Sequence, residues 1–279
     1  MRDHDGLCFP IAEYERRLSE LRTRMQKRLL DAVVISDPEN LFYLTGHQTS
    51  GYSFFQALLV PLDREPVAVT RQMEISNIKN RTWVEEMRYF SDTGDAVQTL
   101  YSVLEAYNLT EKRIGYERNS YFFPAYQQDR FRTLVADGNL QDCFGIVEEG
   151  RLTKSADEID VMRHAAKATE AGMEAGFAAA VPGATENDVA ASICDAMFRA
   201  GGEYPAVLPY VTSGPRTMIG HATWEGRTIE SNEHVFLEVG GCYRRYHTAM
   251  MRTIILGEFS NSMQNAERIM LHALEEVEH

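Results

Sequence analysis

The sequence predicts a two-domain chain, an α/β domain followed by an α+β domain whose strands come late. Three observations carry that expectation. Short strands alternate with helical patterns over the first half; near residue 150 the character changes to two successive helices; and a hairpin-like strand pair follows. With 279 residues and 44% hydrophobic content, the chain has apolar material for two cores rather than one. The expected boundary separates residues 1–148 from residues 149–279.

In the first half, "IAEYERRLSELRTRMQKRLLDA" places Tyr14, Leu18, Leu21, Met25 and Leu29 at helical spacing, which makes it an amphipathic helix. The β-branched "AVVIS" follows as a strand and "DPEN" as a turn. "ALLVPL" and "PVAVT" are further strands on either side of the turn-like "DREP". A helix in "DAVQTLYSVLEAY" and a strand in "RIGYE" continue the alternation.

The second half opens with Ser155 as the cap of a long helix, whose expected apolar face is Ile159, Met162, Ala166, Thr169, Met173 and Phe177. Pro182 and Gly183 end it. "ENDVAASICDAMFRAGG" is a second helix closed by a glycine pair. The strands "PAVLPYVTSG", "EHVFLEVGG" and "YHTAMMRTIIL" precede a last helix in "NSMQNAERIMLHALEEVEH".

Composition excludes several function classes. Lys and Arg number 28 against 41 Asp and Glu, a net charge of −13, and no basic block stands out, so neither nucleic acid nor an anionic membrane is an expected partner. No run approaches the roughly 18 to 20 apolar residues of a membrane span, and the start lacks a signal-peptide core, so a cytoplasmic location is expected. Cys8, Cys143, Cys194 and Cys242 lie far apart, without the spacing of a zinc knuckle or a disulfide framework. No glycine-rich phosphate loop and no serine nucleophile elbow occur.

Chemistry concentrates in "VFLEVGGCYRRYHTAMMRTIIL". Strand alternation puts Val235, Leu237 and Val239 on one face and Phe236 and Glu238 on the other. With Gly240 to Arg245 as the connection, Glu238 is expected across from about Ala249, sharing its face with His247 and Met251. A carboxylate pointing to solvent is the simpler explanation of Glu238; an unpaired carboxylate on a covered face is the mark of a functional site. His221, in "GHATWEG", is a candidate acid–base group, and Arg216 a candidate clamp for a substrate carboxylate. Trp224, Phe54 and Phe55 offer π faces to a delocalised cation, with core packing as the alternative. A metal site would have to mix Glu238, His247, Cys242 and His221 at spacings that no standard site uses.

"EYERRLSELRTRM", "LDAVVISDPENLFYLTG", "RLTKSADEIDVMRHAA", "GHATW" and "FLEVGGCYRRYHTAMMRT" together resemble the creatinase, prolidase and methionine aminopeptidase superfamily. The resemblance implies a small α/β N-terminal domain ahead of a pita-bread domain. Because the superfamily fold continues past the last helix here, that second domain is expected to be truncated at its C-terminal end. Placing Arg252 and Thr253 on the Arg-Thr pair of the metallopeptidases puts their two metal-binding aspartates at Glu238 and Ala249. Alanine ligates no metal, so no metal and no other cofactor is expected. Met251 stands where creatinase has a substrate-binding glutamate.

"GEYPAVLP", "HATW" and "LEVGGCYRRYH" are most similar to the ectoine hydrolase branch, which opens a cyclic amidine to N-acetyl-2,4-diaminobutyrate. The resemblance implies Glu238 as nucleophile or base and His221 as proton shuttle. Arg216, Trp224, Phe54, Phe55 and His247 are the expected substrate contacts, and a homodimer acting on a small molecule is the expected assembly. A metal-dependent Xaa-Pro peptidase and a catalytically inactive pita-bread binding module are the alternatives.

Overall fold

The computed structural model describes residues 5–135 and 139–278. The chain divides into two compact units, Met1–Lys154 and Ser155–His279.

The first unit is a mixed six-stranded sheet with helices around it. In chain order it runs α1 (Ile11–Lys27), β1 (Ala32–Ile35), α2 (Pro38–Thr45), β2 (Ala57–Pro61), β3 (Val67–Arg71), α3 (Ile75–Arg81), β4 (Glu86–Phe90), α4 (Ala96–Ala106), β5 (Ile114–Tyr116), α5 (Ala125–Leu134), β6 (Leu140–Asp142) and α6 (Glu148–Arg151). The sheet order is β4-β3-β2-β1-β5-β6. Strands β1 and β2 are buried along their whole length, which is why "AVVI" and "ALLVP" read as continuous apolar runs rather than alternating ones.

Helix α1 buries Tyr14, Leu18, Leu21 and Met25 as the periodicity requires. Leu29 departs from that reading. The helix stops at Lys27, and Leu29 turns out at φ 56° with 65% of its surface exposed.

The second unit contains α7 (Ala156–Ala179), α8 (Glu186–Arg199), β7 (Tyr210–Ser213), β8 (His234–Tyr243), β9 (Tyr246–Ile255) and α9 (Asn261–Glu278). Its three strands form an antiparallel sheet in the order β7-β8-β9. Ser155 caps α7 as expected, and the cap is reciprocal: Glu158 N donates to Ser155 Oγ at 3.3 Å and Ser155 N to Glu158 Oε2 at 2.8 Å. Thr185 and Asp188 repeat the arrangement at the start of α8.

The buried face of α7 is rotated by about one residue from the expected one. It consists of Glu158, Val161, Ala165, Ala168, Thr169, Gly172, Met173 and Gly176, while Ile159 and Phe177 are 40% and 44% exposed. Small residues face the sheet because the packing is too close for large ones. A Cβ on Gly172 would lie 2.6 Å from Met197 Cγ and 3.0 Å from Val239 Cγ1, and one on Gly176 would lie 2.8 Å from Leu237 Cδ1. Met173, Val189, Ile193, Met197, Val211, Val235, Leu237 and Val239 form the core between these helices and β8.

Candidate active site

Strand β8 alternates as the sequence requires. Val235, Leu237 and Val239 are fully buried against the helices, and Phe236, Glu238 and Gly240 are half-buried on the other face. Glu238 is therefore held by a strand whose opposite side is locked into the core.

The register differs from the expected one. The hairpin connection is two residues, Arg244 and Arg245 at φ 45° and 61°, so β8 runs on through Tyr243. Glu238 consequently pairs with Met251, and Ala249 pairs with Gly240. Gly240 and Gly241 both lie in the strand, and Gly241 is kept small because α7 lies against it: a Cβ there would sit 2.6 Å from both Ala165 O and Thr169 N.

On its other flank Glu238 pairs with Tyr210 of β7. The Tyr210 ring in turn lies 6.4 Å from the imidazole of His221, tilted by 40°. Tyr210 is thus the cross-strand partner of Glu238 and the ring neighbour of His221. His221 is exposed and takes φ 62°, a left-handed conformation uncommon for residues other than glycine. Sequence reasoning did not single out Tyr210, because its place beside Glu238 depends on the β7–β8 register, and no local signal encodes that.

The remaining expected contacts are disposed differently. Arg216 does not offer a free fork to a substrate carboxylate. One arm pairs with the buried carboxylate of Glu186, while the other donates to Thr223 O at 2.6 Å and lies 3.2 Å from Glu225 Oε1. Trp224 is partly buried and packs against the core of the second unit. His247 has both ring nitrogens engaged: Ala206 N donates to Nε2 at 3.1 Å, and Nδ1 lies 3.1 Å from Arg245 O. Burial, followed by the Arg245 charge, holds its pKa below the usual histidine value, and with Nε2 accepting from Ala206 N it is Nδ1 that donates to Arg245 O.

Phe54 and Phe55 belong to the first unit. Phe55 is 7% exposed within that unit's core, its ring 5.2 Å from that of Phe123, so it has no free face for a ligand. Phe54 is half-exposed, with the Arg71 guanidinium 3.8 Å over its ring.

Around Glu238, the paired positions Tyr210, Met251 and Ala249 supply no second carboxylate or imidazole. Among the described residues, the trio of acidic or imidazole side chains close enough to share a cation is Asp37, Glu117 and Glu148 in the first unit, which sequence reasoning missed. Glu117 there is fully buried and accepts from Ser36 N at 2.5 Å, Asp37 N at 2.8 Å and Asn40 Nδ2 at 2.6 Å. It ties the end of β1 to the start of α2, a structural task.

Residues 160–279 match the family model of metallopeptidase family M24, and residues 17–153 that of the creatinase/prolidase N-terminal domain. A protein named ectoine hydrolase, from Halomonas elongata, is 30% identical over 97% of this chain and 72% of its own length. The chain belongs to the M24 family. Another relative, an uncharacterized hydrolase/peptidase of Sinorhizobium fredii, is 28% identical over 96% of the M24 chain and 72% of its own. Among solved structures, the prolidase from Pyrococcus horikoshii superposes with a TM-score of 0.81 at 21% identity, covering 94% of this chain and 71% of that one. At that identity the likeness shows the fold: a creatinase-type N-terminal domain followed by a pita-bread domain. The family description implies a metallopeptidase, but the residues around Glu238 do not fit the two-carboxylate hairpin that such a metal centre needs.

Proposed function

We propose that this M24 hydrolase opens a cyclic amidine, converting ectoine to N-acetyl-2,4-diaminobutyrate without a metal. The observation that carries the reading is the likeness to ectoine hydrolase over nearly the whole chain. The reading is supported by the hairpin, which presents one carboxylate, Glu238, while Ala249 stands where the resemblance puts the second metal-binding aspartate.

The amidinium carbon is electrophilic. Either a water that Glu238 deprotonates adds to it and the tetrahedral carbon releases one ring nitrogen, or Glu238 itself attacks, the ring nitrogen leaves, and a water then cleaves the bond between Glu238 and that carbon. His221 delivers the proton that this nitrogen needs to leave as an amine; the net change is addition of one water and cleavage of one carbon–nitrogen bond. The same reading has the protein act in the cytoplasm as a homodimer, for which sedimentation equilibrium should return twice the 31.7 kDa chain mass.

The test is to incubate the protein with ectoine under a strong chelator and follow the acetylated diamino acid by mass spectrometry. Product formation is expected. Absence of product, with a proline dipeptide cleaved on addition of manganese, would return the chain to the Xaa-Pro peptidases. Tight ectoine binding without turnover would make it a binding module.

A further inference from the structure

Glu186 is the first residue of α8 and is completely buried, yet the proposed chemistry does not use it. Its carboxylate gathers both ends of the loop that carries His221. Oε1 accepts from Ser213 N at 2.8 Å and Ser213 Oγ at 2.9 Å, where the loop leaves β7. Oε2 accepts from Glu225 N at 3.1 Å, where the loop returns, and from Arg216 Nη1.

Arg216 extends the clasp. Its second arm reaches Thr223 O at 2.6 Å, so one guanidinium spans from the buried acid to the residue two positions beyond His221. The planar fork is what permits this double reach, and a point charge could not reproduce it. Arg227 closes the base from outside, donating to Ser213 Oγ at 2.7 Å and to Glu233 Oε2 at 2.7 Å. His221 itself takes no part in the clasp. It projects from the loop in its left-handed conformation, which a non-glycine residue keeps only where the surroundings impose it.

We propose that Glu186 and Arg216 are positioning residues that hold the 214–225 loop so that His221 stands beside Tyr210, the cross-strand partner of Glu238. The role of His221 in turnover rests on the function proposed above; the positioning rests on the clasp geometry alone. Two different readouts therefore separate the claims.

The structural readout is the His221 Cε1–H resonance of the 279-residue protein. The Tyr210 ring, 6.4 Å away, displaces this resonance by its ring current. Assignment comes from loss of the signal in His221→Asn, and Tyr210→Leu gives the position without the ring. In Arg216→Met and Glu186→Gln the resonance is expected to move to the Tyr210→Leu position. In Arg216→Lys, which keeps a charge opposite Glu186 but loses the reach to Thr223 O, it should lie between. A folded Arg216→Met with an unmoved resonance would overturn the proposal. If Arg216→Met does not fold, Arg216→Lys decides it in the same way.

The catalytic readout is ectoine turnover. A misplaced general acid should lower kcat by about tenfold to a hundredfold in Arg216→Met, with KM nearly unchanged. Wild-type protein that fails to turn ectoine over would sink the proposed function, while the resonance still decides the positioning.

Discussion

Glu238 and Tyr210 are direct cross-strand partners, and it is the ring of Tyr210 that approaches His221. Tyr210 therefore links, through its backbone pairing on one side and its ring on the other, the two residues proposed for bond cleavage and proton delivery.

Replacing that ring tests the arrangement. Tyr210→Leu should lower kcat about tenfold by releasing His221, whereas Tyr210→Phe, which keeps the face, should stay within about twofold. Steady-state kinetics with ectoine would measure both. A large loss in the phenylalanine variant would show that the hydroxyl, not the ring, is what matters.

Glu238→Gln keeps the shape of the side chain and removes its basicity. On the proposed mechanism kcat should fall by about 10² to 10⁴. The melting temperature should hardly change, since the residue is half-buried on the face away from the core. Full turnover in this variant would remove the carboxylate from the mechanism.

Gly172→Val should destabilise the second unit by about 1–3 kcal/mol, because even a Cβ there would stand 2.6 Å from Met197 Cγ. Denaturant titration would show a lower midpoint with an unchanged slope. An unaffected midpoint would mean that α7 and α8 can separate without cost.

Glu117 predicts a pH dependence of stability in the first unit. Burial raises its pKa from 4.5 to about 7, against the lowering effect of the Ser36 and Asp37 amides. The folded state therefore holds this proton more tightly than the unfolded chain does. The stabilisation is complete below about 4.5 and is lost as pH rises through about 7, a change of roughly 3 kcal/mol. Unfolding measured from pH 5 to pH 8 should show that decline, and Glu117→Gln should flatten it. An unaltered slope in the variant would assign the dependence to other groups.

Features set by neighbouring residues were legible in the sequence. The two-residue alternation of Val235 to Val239 and the Ser155 cap needed only local patterns, and both stand in the fold. The hairpin register was not legible. Gly240 and Gly241 carry the signature of a turn, yet both are strand residues, Gly241 kept small by the backbone of α7, and the turn is made by two arginines that carry no such signature. The face of α7 was misjudged for the same reason, because its packing selects small residues while Ile159 and Phe177 are left outside. Glu186 was invisible because an acidic residue in the first turn of a helix is ordinary; only tertiary structure shows which loop it gathers.

The contact of Gly241 with the backbone of α7 has a wider consequence. Strand β8 cannot slide or tilt without driving its own chain into Ala165 and Thr169, so position 238 is an anchored coordinate of the domain. The loop bearing His221 is tied at both ends to the Glu186 carboxylate and spanned by Arg216. Glu238 thus sits on a strand locked through its backbone and His221 on a loop clasped through side chains, and changes in substrate range among related chains should accumulate between residues 214 and 225 rather than along the strand.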